Sequence, residues 1–192
     1  MYDDANFDEQ PLVAAGETTQ ACDPVCVDCR ACAQTLRHPL ELIPEEAKCL
    51  IDEIAANEEP VFVRTGADPL KRPDIFGLVR YATERYVRVS LTPRAPPLLT
   101  RESIVRLKAC GLARHAVSLD GPTAAIHDAF HRLPGSCQRT LDAVRWVGEI
   151  GLPARTWKGN ADYASTARFV VLAGTLVGDE GRLVPRGTVL RL

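Results

Sequence analysis

Four cysteines fall within eleven residues, Cys22, Cys26, Cys29 and Cys32 in the string CDPVCVDCRAC. Thiolates at this density are a strong signal for metal ligation. Structural zinc wants two well-separated ligand pairs, or cysteines and histidines able to surround a tetrahedron, and no second CxxC or histidine pair lies downstream. Zinc is therefore disfavoured, though not eliminated. Iron-sulfur ligation suits one short loop better, because closely spaced thiolates reach successive irons of a cubane. The chain holds seven cysteines, an odd number that cannot pair off completely. In a reducing compartment metal or cluster ligation outranks a disulfide framework. Cys49, Cys110 and Cys137 fall in predicted helices, where a free cysteine behaves as a small buried hydrophobe.

Other residues could do chemistry at loop positions. Gly66 and Asp68 in Thr65-Gly66-Ala67-Asp68-Pro69-Leu70 could meet a ligand, or simply turn the chain from strand to helix. Ser118 and Asp120 could contact a ribose or a substrate, yet Asp120-Gly121 also makes a good turn. His127 and His131 lie four apart. Without the carboxylate partner of a zincin motif, they are expected on an exposed helix face. Trp146 and Trp157 are expected in the core or at an interface, and Asp3, Asp4, Asp8 and Glu9 in a solvated tail.

The elements that must position these residues alternate. Leu12 to Thr19 is a candidate first strand, and Pro44 to Asn57 reads as a helix with Ala47, Leu50, Ile51 and Ile54 on one face. Val61-Phe62-Val63 is a strand ending at Thr65-Gly66, followed by a helix from Pro73 to Arg85 carrying Ile75, Val79 and Ala82. Val87 to Leu91 and a helix capped by Thr100, with Ile104 and Leu107 inward and a stop at Gly111, make another unit. His115 to Leu119, the turn Asp120-Gly121-Pro122, and a helix capped by Ser136 with Leu141, Val144 and Ile150 inward make the next. Repeated βα units predict a parallel sheet whose ligands sit at the carboxyl ends of the strands. Thr65-Gly66 and Ser118 to Asp120 fall on that rim. Beyond Pro153 the rhythm stops, and a hairpin is expected from Phe169 to Leu172 and Thr188 to Leu190.

The 192 residues are 46% hydrophobic and 25% charged, an ordinary globular composition able to bury a core without disulfides. No run approaches the roughly 20 apolar residues of a membrane span. The first twenty residues are acidic where a signal peptide would be basic and then apolar. The protein reads as soluble and cytoplasmic, with no membrane partner. Residues 1–60 carry 14 acidic and 3 basic side chains, residues 61–192 carry 11 and 20. The basic part has no dense Lys/Arg cluster and no aromatic-rich strand, which argues against nucleic-acid binding.

The first three cysteines, Cys22-x3-Cys26-x2-Cys29, resemble the CxxxCxxC loop of the radical S-adenosylmethionine (SAM) enzymes. Thr65-Gly66-Ala67-Asp68-Pro69-Leu70 resembles that family's GGE/GGDP segment, and Val87 to Thr92, LTPRAPPLLTRESIVRLKACGL and VSLDGPTAAIHDAFHRLPGSCQRTLDA look like the following units of its SPASM-type branch. That branch includes enzymes modifying haem precursors and peptides. The resemblance covers roughly residues 12 to 153. It implies a (β/α)6-type barrel, here partial with about four recognisable βα units. It implies a [4Fe-4S] cluster on Cys22, Cys26 and Cys29, with one iron left open for SAM, and SAM contacts from Thr65, Gly66, Ala67, Asp68, Ser118 and Asp120. It also implies reductive cleavage of SAM to a 5′-deoxyadenosyl radical, a ferredoxin- or flavodoxin-like electron donor, and a haem precursor or peptide as substrate. Cys32 reads as a spare thiol, since a fourth ligand would close the open iron.

Departures from the pattern carry expectations too. Asp28 stands where the family has an aromatic residue or histidine near adenine, and Ala67 replaces the second glycine, so both are expected to weaken SAM binding. The fifth and sixth strands are not recognisable, and no cysteine follows Cys137 to hold an auxiliary cluster. The organisation expected is an acidic tail over 1–11, a core over 12–153 and a divergent segment over 154–192. On this reading the chain is a truncated or frame-altered member in which cluster binding does not guarantee activity. The competing functions are a noncatalytic iron-sulfur or zinc-binding module using Cys32, and an inactive truncated member.

Overall fold

A computed structural model describes residues 13–23, 26, 27, 29, 31–56, 61–93, 97–120, 123–158, 168–170 and 189–191. Five parallel strands form one sheet: β1 (Val13–Glu17), β2 (Val61–Thr65), β3 (Arg88–Leu91), β4 (Arg114–Leu119) and β5 (Ala154–Lys158). Their spatial order follows their sequence order. A doubly wound sheet reverses its order at a switch point; this one never does, which is how the staves of a barrel are laid. The register sets Val13 beside Val61, Phe62 beside Val89, Leu91 beside His115, and Ser118 beside Trp157.

Helices fill the connections. These are α1 (Pro44–Ala55), α2 (Ile75–Glu84), α3 (Arg101–Ala109), α4 (Ala124–His131) and α5 (Ser136–Ile150). Pro44 starts α1, where its missing N–H costs nothing. Thr100 starts α3, its hydroxyl accepting from Ser103 N–H at 3.2 Å while Ser103 Oγ accepts from Thr100 N–H at 2.9 Å. The helices bury Ile51, Ile75, Leu78, Val79, Ile104, Leu107 and Val147 against Phe62, Val89 and Leu91 of the sheet. Each such side chain contributes about 1.5–3 kcal/mol when fully withdrawn from water.

The structure departs from the sequence expectation in three places. The alternation continues past Pro153 into β5, because Ala154–Lys158 pairs along its whole length with β4. Ala-Arg-Thr-Trp-Lys has little strand signature of its own, so the pairing decides. The inward face of α5 is Ser136, Thr140, Ala143 and Val147, whereas Leu141 is 44% exposed. Here small residues that permit close packing override hydrophobicity. Ser136 is the first helical residue of α5 and Gly135 the cap; the α5 start is held instead by Asp128, which accepts from Ser136 Oγ at 2.9 Å and Cys137 N–H at 2.8 Å. Cys110 is buried, Cys137 half-buried and Cys49 exposed. Trp146 packs against the core edge.

Strands β6 (Arg168–Val170) and β7 (Val189–Arg191) pair antiparallel, with Phe169 opposite Leu190. Their connection, the acidic tail and the Gly121-Pro122 part of the turn lie outside the described residues. Among the described residues no helix is long and apolar enough to cross a membrane.

Candidate metal and cofactor site

All five strands run the same way, so their carboxyl ends share one rim, and the loops after β1, β2 and β4 meet there. Beyond β1 the chain turns at Thr18 and Thr19, both buried, into the cysteine loop. A bridge between Ala21 and Gln34 closes this loop. Gln34 N–H donates to Gln20 carbonyl at 2.8 Å, and Cys22 N–H donates to Gln34 carbonyl at 2.7 Å. Glu41 braces the entry, its carboxylate accepting from Thr19 Oγ1 at 2.6 Å, Gln20 N–H at 3.1 Å, His38 N–H at 3.2 Å and Arg37 Nε at 2.6 Å. Burial opposes charge on Glu41, but these hydrogen bonds outweigh it and hold its carboxyl below the usual range.

Within the loop Cys22 and Cys26 are buried, Cys29 is half-buried and Cys32 is exposed. Three thiols on one closed loop, two of them shielded from water, form a donor set that fits an iron-sulfur cluster. Cys32 sits in the left-handed region at φ 45°, its N–H donating to Cys29 carbonyl at 3.2 Å. That turn carries it outward. Asp28 lies outside the described residues.

The loop after β2 docks on the first. Ala67 N–H donates to Thr19 carbonyl at 3.2 Å and Asp68 N–H to Ala21 carbonyl at 2.9 Å. Gly66 adopts φ +98°, and a Cβ there would stand 3.0 Å from Thr19 carbonyl oxygen. Glycine is required by both conformation and space. Ala67 lies outside the left-handed region and is buried, so its methyl does not strain the turn itself. Asp68 is fully buried; one carboxylate oxygen caps the next turn at Leu70 N–H, 3.1 Å away, and Oδ2 has no hydrogen-bond partner among the described residues. Burial pushes its carboxyl up to about 7. Lys71, three residues later, pairs with Asp23 of the cysteine loop and donates to Thr35 carbonyl at 3.3 Å. The Thr65 side chain lies outside what the structure describes.

From β4 come Ser118, half-buried, and Asp120. Asp120 does not simply turn the chain. Its carboxylate lies 2.7 Å from His131 Nε2, and its N–H donates to His127 Nδ1 at 3.1 Å. The expectation of an exposed histidine face without a carboxylate is thus corrected: His127 is 0% and His131 7% exposed, stacked with ring centroids 4.1 Å apart. The i, i+4 spacing was visible; the carboxylate partner was not, because it arrives from β4 through the fold. His131 Nδ1 in turn lies 3.7 Å from Cys26 Sγ, and Val27 N–H donates to Phe130 carbonyl at 3.0 Å. The end of α4 therefore rests on the cysteine loop.

Comparison with known proteins agrees with this architecture. The family model of the radical SAM superfamily matches residues 18–160. The chain is 38% identical over 143 residues to an AdoMet-dependent heme synthase of Methanosarcina barkeri, covering 74% of this chain and 41% of that protein. It is 36% identical over 138 residues to one of Oleidesulfovibrio alaskensis, covering 72% and 35%. A PqqA peptide cyclase of Rhodopseudomonas palustris is 33% identical over 143 residues, covering 74% and 38%. The chain thus spans about two-fifths or less of the length of these relatives. Among solved structures, Streptococcus suis SuiB bound to S-adenosylmethionine superposes with a TM-score of 0.67 at 16% identity, covering 77% of this chain and 33% of that one. This likeness is one of fold.

Proposed function

Since the chain belongs to the radical SAM superfamily, we propose that Cys22, Cys26 and Cys29 hold a [4Fe-4S] cluster and that the rim beside them binds SAM. The observation that carries this reading is the joining of the two loops. Ala67 and Asp68 donate their backbone N–H groups to Thr19 and Ala21, so the residues after β2 and the cysteine loop form one unit. When bound, the reduced cluster supplies an electron that cleaves SAM to methionine and a 5′-deoxyadenosyl radical able to abstract hydrogen from a substrate.

The chain's own residues do the rest. Cys22 and Cys26 withdraw their sulfurs from water, which shields a cluster from oxidative loss. Asp68 offers a buried carboxylate oxygen with no partner among the described residues, the counterpart a methionyl ammonium needs. Gly66 lets the backbone approach, with Thr65 and Ala67 flanking it, and Ser118 reaches the same rim from β4. Cys32, turned outward, is left out of the ligand set. An external reductant, ferredoxin- or flavodoxin-like, supplies the electron. For the substrate we favour a haem precursor over a peptide, on the 36–38% identity to heme synthases against 33% to the peptide cyclase.

Electron paramagnetic resonance of the anaerobically reconstituted, dithionite-reduced chain tests this. A four-iron signal that shifts on adding SAM is expected. No iron or sulfide uptake would overturn the cluster assignment. A signal indifferent to SAM would overturn the SAM site and leave a noncatalytic iron-sulfur module.

A further inference from the structure

His131 stands between two hydrogen-bonding groups from different parts of the fold. On one side Asp120 Oδ2 lies 2.7 Å from Nε2, and on the other Cys26 Sγ lies 3.7 Å from Nδ1. The short contact between Nε2 and Asp120 Oδ2 fixes the orientation of the ring. A sulfur that ligated iron as a thiolate could only accept, so the hydrogen of the second contact would lie on Nδ1. Asp120, His131 and Cys26 thus form one hydrogen-bonded chain that runs from β4 through α4 to the cysteine loop.

The ring is also fixed in space. His127 stacks on it at 4.1 Å with planes 18° apart, and His127 is itself held by Asp120 N–H at its Nδ1. One residue along, Val27 N–H is tied to Phe130 carbonyl at 3.0 Å, so backbone and side chain of the α4 end grip the loop at consecutive positions. Asp120, His127 and His131 bring three ligand atoms within 4.8 Å of one another. They are better read as this relay than as a cation site, because the Nδ1 lone pair of His127 already takes the Asp120 amide hydrogen and His131 Nε2 is engaged with the carboxylate.

We propose that His131, oriented by Asp120, is a positioning residue that hydrogen-bonds the Cys26 sulfur and raises the reduction potential of the cluster. The proposal rests on the cluster assignment above. Its physical basis is that reduction adds negative charge to the cluster, and an N–H aimed at a ligating sulfur stabilises the reduced form more than the oxidised one. This side-chain hydrogen bond reaches a proposed ligand from another element of the fold.

The test is a redox titration of the anaerobically reconstituted chain, followed by electron paramagnetic resonance without SAM, for wild type, His131→Phe, His131→Gln and Asp120→Asn. Iron and sulfide content is measured on each. The expected result is equal loading, potentials of His131→Phe and Asp120→Asn shifted negative, and His131→Gln between them and wild type because its amide still donates. If His131→Phe does not fold, the other two variants decide. Loaded variants whose potentials coincide with wild type would overturn the proposal and leave the cluster assignment intact. A wild-type chain that takes up neither iron nor sulfide would overturn that assignment and this inference with it.

Discussion

Asp68 shows how one buried carboxyl ties stability to ligand binding. Its folded-state carboxyl lies at about 7 against 3.8 for the free side chain, because burial disfavours the charge. The folded form therefore holds the proton more tightly than the unfolded form. That stabilisation is complete below about pH 4 and is lost as pH rises toward 7, in total on the order of 4 kcal/mol. We expect Asp68→Asn to abolish this slope, so that the variant gains on the wild type between pH 4 and 7 in denaturant midpoints. The same variant should weaken SAM binding, read as a higher SAM concentration for the change in the cluster spectrum, since an amide oxygen can accept from an ammonium but offers it no charge. The motif Thr65 to Leu70 was legible because glycine, aspartate and proline announce a turn. The carboxylate oxygen left without a partner among the described residues was not, because it arises from what surrounds the residue.

At the scale of elements, the helices are legible wherever apolar spacing and caps agree. In α3, Ile104 and Leu107 point inward and Thr100 caps, as the residues themselves indicate. Thr100→Ala removes the acceptor for Ser103 N–H and is expected to cost about 1 kcal/mol by chemical denaturation without altering cofactor binding. A wild-type midpoint would show the cap to be redundant. In α5 the same reasoning selects the wrong face. Thr140 and Ala143 are buried while Leu141 is exposed, because the helix must lie close to α4 and the sheet, and small side chains set that distance. Strand β5 is a further case: its sequence alternates weakly, and its identity comes from the five consecutive pairs it makes with β4.

The pH response of the whole molecule is set by buried groups of opposite sign. His115 of β4, 1% exposed, has an Nε2 with no hydrogen-bond partner among the described residues, and burial lowers its pKa from 6.5 to about 4. The folded state keeps it neutral. Its contribution is intact above pH 6.5 and lost as pH falls to 4, on the order of 3 kcal/mol. Over that window the loss on acidification from His115 runs against the gain from Asp68. We expect His115→Leu to be at least as stable as wild type at pH 7 and to lose less on acidification, measured by midpoints at pH 4.5 and 7. Parallel curves for the two proteins would show that His115 titrates normally.

The sequence by itself determined the local facts. The cysteine spacing in one loop, the alternation of strand and helix, the rim on which Thr65 to Asp68 and Ser118 to Asp120 fall, and the family these segments resemble can all be read from residues near one another in the chain. Tertiary structure alone decided what meets across the chain. The histidines of α4 became buried partners of Asp120 and Cys26, over a separation of 105 residues in the latter case, and Asp68 acquired its raised carboxyl. Such properties depend on desolvation and on contacts between distant segments, and no spacing rule within one segment encodes either.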